Sequence, residues 1–431
     1  MQRSGEGTAR AAEGGPDVED VRCVVAGGGP AGVVLGLLLA RAGVPVLVLE
    51  KHEDFLRDFR GDTVHPSTLR LLDEIGLAEE FLDLPHARVR RATATTDDGT
   101  FAVADFSRLP GRFPFLALVP QWDFLDLLAS RARRYPGFEL RTGAQVVGLL
   151  REGERVAGVR YRSGADGAER EVRAALTVAA DGRGSVLREA AGLPLRSFGV
   201  GVDVLWFRLP DPPGGAGPST GVRLSAGRFL VVLDRGDYLQ CAFVVPSGGL
   251  DGLRERGVGE FRADLARLVP RLAPVVGELA GFGDVHVLRV RIDRLRRWYR
   301  DGLLVIGDAA HAMSPVGGVG VNLAVQDAVA AARLLAPPLR RGAPASRDLA
   351  RVQRRRWLPV ALTQLAQRVA HRRVLEASLA GERPVRAPLA LRLLQRVPAL
   401  QVLPAAAIGL GVLPEHPPAE EVALDTSAMY R

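Results

Sequence analysis

Three short stretches, far apart in the chain, place glycines or a carboxylate directly after an apolar run. The first is Gly27-x-Gly29-Pro30-Ala31-Gly32, which follows Val21-Arg-Cys-Val-Val-Ala26, with Glu50 closing Val46-Leu-Val-Leu. A dinucleotide needs this layout. Gly27 permits the tight turn, Gly29 lets a pyrophosphate approach the backbone, and Gly32 lets helix and strand pack closely. The helix start adds N–H donors and positive potential, and an acid at Glu50 can accept from a ribose hydroxyl while opposing a 2′-phosphate there. The second stretch is Leu303-Leu-Val-Ile-Gly307-Asp308-Ala-Ala-His311, then Pro315-x-x-Gly318-x-Gly320-Val321-Asn322. Asp308 can hold a polyol hydroxyl, and the N–H groups of Gly320 to Asn322 can face an anion or an electron-rich ring edge. The third is Thr177-Val-Ala-Ala-Asp181-Gly182-x-Gly184-Ser185-x-x-Arg188; on its own such an Asp-Gly step is a turn.

These groups need strands to deliver them to one place. The pattern predicts strand 21–26, helix 33–42 and strand 46–50 as a βαβ unit, then helix 66–80, a hairpin around 97–99 and helix 121–134. Three meander strands follow at 139–150, 155–161 and 176–180. Alternating segments at 202–207, 228–233, 238–245 and 286–291 read as an antiparallel sheet, interrupted by a loop at 210–218 and a helix at 259–268. A buried strand at 303–306 and a helix at 320–335 resume the α/β pattern, and 348–431 reads as helices punctuated by prolines. The expected fold class is therefore α/β. A discontinuous Rossmann-like domain (21–85, 113–195, 293–345) carries an inserted antiparallel-sheet substrate domain (86–112, 196–292), a helical C-terminal region (346–431) and a disordered tail (1–20).

Composition narrows the class further. The 431 residues are 47% hydrophobic and 25% charged, which suits a globular protein with a real core and excludes collagen, coiled coil and a disordered chain. The only cysteines are Cys23 and Cys241, so there is no disulfide framework or Cys-rich zinc site, and a reducing cytoplasm is the expected compartment. The net charge of +8 comes from arginines scattered through the chain, Lys51 being the single lysine, so no nucleic-acid partner is inferred. The apolar stretch 402–413 is short and broken by Pro404, which leaves a peripheral membrane contact as a minor option. The seven histidines show no metal-ligand pair, and local hydrogen bonding is the preferred reading of Asp62, His65 and His311. No side chain is assigned as a catalytic acid or base.

Taken in this order, the three motifs resemble those of the single-component FAD-dependent monooxygenases, the flavoprotein aromatic hydroxylases of the p-hydroxybenzoate hydroxylase type, over about residues 21–335. The resemblance implies that fold, with Gly27 to Gly32, Pro30 and Ala31 included, cradling the FAD pyrophosphate, and with Glu50 and Lys51 at the adenosine ribose. It implies that Asp181 and Gly182 serve both FAD and NAD(P)H, that Asp308 meets the ribityl chain, and that Pro315, Gly318, Gly320, Val321 and Asn322 lie beside the isoalloxazine ring. Arg60, in Arg60-Gly-Asp-Thr-Val-His65, and Gln121 resemble the residues that reach the flavin phosphates or ribityl chain. No second Gly-x-Gly-x-x-Gly with strand and acid is present, so NAD(P)H would dock transiently as a co-substrate. The implied activity is hydroxylation or epoxidation of an aromatic or unsaturated small molecule with NAD(P)H and O2 through a flavin C4a-hydroperoxide, in a monomer or homodimer. An FAD oxidoreductase of the same fold that inserts no oxygen is the alternative, and a ligand-sequestering flavoprotein a more distant one. The sheet strands at 228–233 and 238–245 would line the substrate pocket. The absence of a Trp-x-Trp-x-Ile-Pro segment argues against the related halogenases.

Overall fold

The computed structural model describes residues 18–56, 63–164, 167–213, 220–225, 227–376 and 384–422; of the features expected from sequence, residues 1–17, Arg60, Asp62 and part of the 210–218 loop lie outside them. The central strand is Val18–Ala26, flanked on both sides by parallel partners. The sheet order is Tyr299–Arg300, Leu303–Val305, Ala168–Ala179, Val18–Ala26, Val46–Leu49 and Phe138–Arg141. The central strand begins at Val18 rather than Val21, so residues 18–20 are not tail. Glu19 reads as polar, yet both of its carboxylate oxygens take N–H groups of Arg141, at 2.7 and 2.8 Å, which fixes this end of the strand.

The meander expected between 139 and 180 is split. Gly143 breaks the first strand, so Phe138–Arg141 joins the parallel sheet beside Val46–Leu49. Only Ala144–Glu152, Arg155–Ser163 and the first half of Ala168–Ala179 form an antiparallel meander. The second half of that last strand pairs in parallel with the central strand and with Leu303–Val305. Helix Pro30–Arg41, buried from Ala31 to Arg41, packs with Gly320–Arg341 and Gln121–Ala132 on one face of this sheet. The expected helix 66–80 is two, Pro66–Glu74 and Ala78–Leu82, divided at Gly76.

A second sheet of seven strands runs His286–Arg289, Val202–Pro210, Tyr238–Pro246, Arg228–Asp234, Gly221–Ser225, Arg91–Thr96 and Gly99–Asp105. It unites the hairpin near residue 98 with the 202–289 segment through a parallel pairing of Gly221–Ser225 with Arg91–Thr96. One face, with Phe207 and Phe243, packs on Phe261 of the Gly249–Leu268 helix. That helix starts well before the expected residue 259 and continues across a break at Gly257. The opposite face, with Val204, Phe229 and Val244, packs against Val316 of the second motif. A two-stranded link, Leu195–Ser197 with Asp293–Leu295, joins the sheets.

The C-terminal region begins with helix Ser346–Ala370 and returns over both sheets. Asp97 and Asp98 accept from the N–H groups of Val385 and Ala387, and helix Val402–Gly409 buries Ala405 against Phe106 and Leu109. Among the described residues, the helical run Val316–Arg341 is long and apolar enough to cross a membrane, but 72% of its apolar window is buried inside the protein, as befits a core helix.

Candidate active site

The parallel strands end in register, with Ala26 opposite both Leu49 and Ala179, and Ala179 opposite Val305. Everything that follows these residues therefore emerges on one rim of the sheet, where α/β proteins bind ligands. Three backbone bonds lock the alignment: Gly27 N–H to Leu49 O at 2.8 Å, Ala180 N–H to Ala26 O at 2.8 Å and Ile306 N–H to Ala179 O at 3.0 Å.

The glycines explain how closely the motifs meet. A Cβ on Gly27, whose φ is +105°, would stand 2.4 Å from Ala180 O, so the first motif touches the third. A Cβ on Gly32 would stand 1.8 Å from Gly27 O, so the helix can approach the turn only without a side chain. One on Gly307 would meet Ala31 Cβ at 3.2 Å and Ala324 Cβ at 3.3 Å, which puts the second motif against the first. A Cβ on Gly29 would have no protein atom within 4 Å. Space is thus open at the position where a pyrophosphate requires it, above a helix start whose first N–H groups have no intrahelical acceptor.

Glu50 is buried, 2% exposed, and pins the turn: its Oε2 accepts from Gly28 N–H at 2.7 Å and its Oε1 from His52 N–H at 3.0 Å. Lys51 beside it is exposed. Asp181 Oδ2 accepts from Leu187 N–H at 3.3 Å, while its Oδ1 is buried and has no partner among the described residues. Burial raises the Asp181 carboxyl above the usual range against hydrogen bonds from Ser185 and Leu187. Gly182 follows it with open space above its Cα. Asp308 accepts from Arg183 Nε at 3.0 Å, and Arg183 also donates to Met313 O at 3.2 Å. Buried Arg188 donates to Ala309 O and Arg183 O, both at 3.0 Å.

The sequence gives no sign of a role for Arg183, which fills the unspecified position of Asp181-Gly182-x-Gly184. Its bond to Asp308, with that of Arg188 to Ala309 O, ties the third motif to the second. Pro315 opens the turn Val316–Gly318, and Gly320, Val321 and Asn322 form the first turn of helix Gly320–Arg341, which has no side-chain cap. The Asn322 side chain is fully engaged elsewhere: Oδ1 accepts from His65 N–H at 2.9 Å and Thr68 Oγ1 at 2.7 Å, and Nδ2 donates to Thr63 O at 3.0 Å. Only its backbone N–H remains for a ligand. Gln121 is half-buried at the start of its helix, and Arg60 lies outside the described residues.

The two histidines of these motifs are held inside the protein. His311 Nε2 lies 2.5 Å from Asp327 Oδ2, and Asp327 also accepts from Gly307 N–H at 3.1 Å and Arg356 Nε at 3.0 Å. Burial pushes the Asp327 carboxyl up, but His311 and Arg356 outweigh it and hold it below the ordinary range. His65 donates its Nδ1–H to Ile408 O at 2.8 Å, and burial pushes it down to about 4.

The aligned rim, the open glycine turn, the buried acid Glu50 and the unpartnered oxygen of Asp181 fit a dinucleotide cofactor, and they define an α/β dinucleotide-binding protein. The chain belongs to the FAD-binding domain family, whose match covers residues 20–366. It is 39% identical to the 6-methylpretetramide 4-monooxygenase of Streptomyces rimosus over 78% of this chain and 79% of that protein. It is 34% identical to the 12-dehydrotetracycline 5-monooxygenase/anhydrotetracycline 6-monooxygenase of Streptomyces rimosus subsp. rimosus, over 71% of this chain and 60% of that one. Among solved structures, the anhydrotetracycline hydroxylase OxyS from Streptomyces rimosus superposes with a TM-score of 0.68 at 25% identity, covering 91% of this chain and 76% of that one.

Proposed function

We propose that this chain is an FAD-dependent monooxygenase that uses NAD(P)H and O2 to hydroxylate a polycyclic aromatic small molecule. The convergence of three motifs on one sheet rim carries the reading, and the named activities of its relatives set the reaction. FAD, when bound, supplies the redox and oxygen-transfer chemistry. The chain's task is to hold the cofactor, exclude water and orient the substrate.

On this reading Gly27 to Gly32 seat the pyrophosphate, and Glu50 sets the turn and accepts from the adenosine ribose through a remaining lone pair. Asp308, held by Arg183, meets the ribityl hydroxyls, and Asp181 Oδ1 takes a donor from a bound dinucleotide. The backbone N–H groups of Gly320, Val321 and Asn322 face the ring edge, and Gln121 stands beside the ribityl chain. Lys51, exposed, contributes at most charge near the adenosine end. The sheet face bearing Val204 and Val244, packed on Val316, roofs the substrate chamber. The working compartment is the reducing cytoplasm, where the buried thiols Cys23 and Cys241 stay free.

The experiment is the visible spectrum of the purified protein, followed under argon as NADH or NADPH is added with candidate polycyclic phenols. Bound flavin that bleaches faster with one phenol, and converts it to a product one oxygen heavier in air, is the expected result. A protein that cannot be loaded with FAD overturns the reading. Peroxide formed with every phenol unchanged transfers it to the oxidoreductase alternative.

A further inference from the structure

A cationic cluster lies outside the rim. On the two-stranded link Arg196 stands directly opposite Arg294, and Arg368 reaches the same place from helix Ser346–Ala370. All three guanidinium carbons gather around the Phe198 ring, at 5.2 Å for Arg196, 5.5 Å for Arg294 and 4.7 Å for Arg368 from its centroid. Arg294 also lies 4.8 Å from the ring of Trp357, itself exposed.

What marks this cluster is three cations around one ring with no acid among them. Arg223 pairs with Asp97, Arg228 with Asp264 and Arg333 with Glu415, whereas none of Arg196, Arg294 and Arg368 has a carboxylate partner among the described residues. Arg294 Nη1 and Arg368 Nε also lack any hydrogen-bond acceptor there and are cut off from solvent. Burial and the two neighbouring cations disfavour the Arg294 charge. Stacking on a ring offsets a little of this, but three like charges around one phenyl group call for a counter-ion.

We propose that Arg196, Arg294 and Arg368 form a binding site for a phosphoryl group. A phosphate offers several oxygens to planar guanidinium forks and enough negative charge for a cluster of three cations. Two sources share this chemistry: the 2′-phosphate of NADPH and free inorganic phosphate. Position favours the nucleotide. Gln367, the residue before Arg368, donates to Ser314 O and Val316 O, both at 2.9 Å, and Gln364 donates to Asp293 O, beside Arg294, at 2.7 Å. The cluster is thereby braced against the segment that follows Asp308. On the proposed function the glycine turn and Glu50 are taken by FAD, so an NADPH phosphate needs a separate seat. This nucleotide arm rests on the proposed function; the anion site does not.

The test titrates FAD-loaded protein with 2′,5′-ADP, with 5′-AMP and with inorganic phosphate, comparing the native chain with Arg196→Gln, Arg294→Gln and Arg368→Gln. Arg196 is exposed, so Arg196→Gln keeps the test open even where a half-buried variant fails to fold. Each lost charge-assisted contact should weaken 2′,5′-ADP about 10-fold or more with flavin content unchanged. Tighter binding of 2′,5′-ADP than of 5′-AMP, lost in the variants together with the preference for NADPH over NADH in anaerobic reduction, supports the nucleotide source. Phosphate that binds as tightly as 2′,5′-ADP, with the same losses, supports the anion site with a free-phosphate source. Equal affinity of the native chain and Arg196→Gln for every probe overturns the proposal. Failure of both NADH and NADPH to reduce the flavin strikes the proposed function instead, while the phosphate titration still decides the site.

Discussion

Glu50, buried, and Asp181, half-buried, are acids at the same rim, and they are held in opposite ways. Glu50 has a backbone donor on each oxygen, whereas Asp181 keeps one oxygen without a partner. The first shapes the turn with both oxygens, and the second keeps one oxygen that no donor among the described residues satisfies. The last two glycines of the motif, Gly29 and Gly32, separate in the same manner. Gly32→Ala drives a Cβ to 1.8 Å from Gly27 O, so it should distort the turn and lower both the thermal midpoint of the apoprotein and its flavin content. Gly29→Ala meets no protein atom within 4 Å, so the apoprotein should melt unchanged while FAD binds at least about 10-fold more weakly, a loss of roughly 1.4 kcal/mol. Equal flavin content in Gly29→Ala and the native chain, by absorbance ratio, would show that no ligand approaches the backbone there.

Among the elements, helix Ser346–Ala370 does work that its sequence does not advertise. Gln364 and Gln367 look like ordinary helix residues, yet both are buried and clamp the 312–316 segment through its carbonyl and N–H groups. Gln367→Ala would leave Ser314 and Val316 backbone groups unsatisfied, which should cost about 1–3 kcal/mol in denaturant unfolding of the flavin-loaded protein. The deeper bond is the salt bridge of Arg356 with Asp327, which also fixes His311 and Gly307. Arg356→Leu takes the guanidinium from a buried carboxylate that keeps only His311 and the Gly307 N–H, and should cost roughly 3 kcal/mol or more, measured the same way. A smaller loss in Arg356→Leu than in Gln367→Ala would mean that Asp327 is neutral in the folded protein.

At the scale of the whole molecule, the C-terminal region closes on the start of helix Pro66–Glu74 through His65. Its ring is buried against Ile408 O and titrates near 4 rather than at the ordinary 6.5. The unfolded chain therefore binds a proton that the folded chain refuses between these two values. Stability is complete above pH 6.5 and is lost as pH falls towards 4, by up to about 3 kcal/mol from this group. Unfolding free energies measured between pH 7 and 4 should fall along this slope in the native chain and flatten in His65→Gln. An unchanged slope in the variant would place the acid sensitivity elsewhere.

Much of the parallel-sheet half was legible in the sequence, because its signals are local. A β-branched run, a glycine turn and an apolar helix specify one another within a few residues, so Gly27 to Gly32, Glu50, the Asp-Gly step at Asp181 and Gly307-Asp308 could be read without coordinates. The antiparallel character of the second sheet was legible for the same reason, through its alternation of apolar and polar residues. What the tertiary structure decided was pairing across distance. Phe138–Arg141 went to the parallel sheet, the hairpin near residue 98 joined Gly221–Ser225, and the Asn322 side chain turned to His65 and Thr68 rather than outward. Arg183 found Asp308, and three arginines met around Phe198. None of these contacts leaves a local mark, because each depends on which surfaces come together once the hydrophobic faces of both sheets are buried.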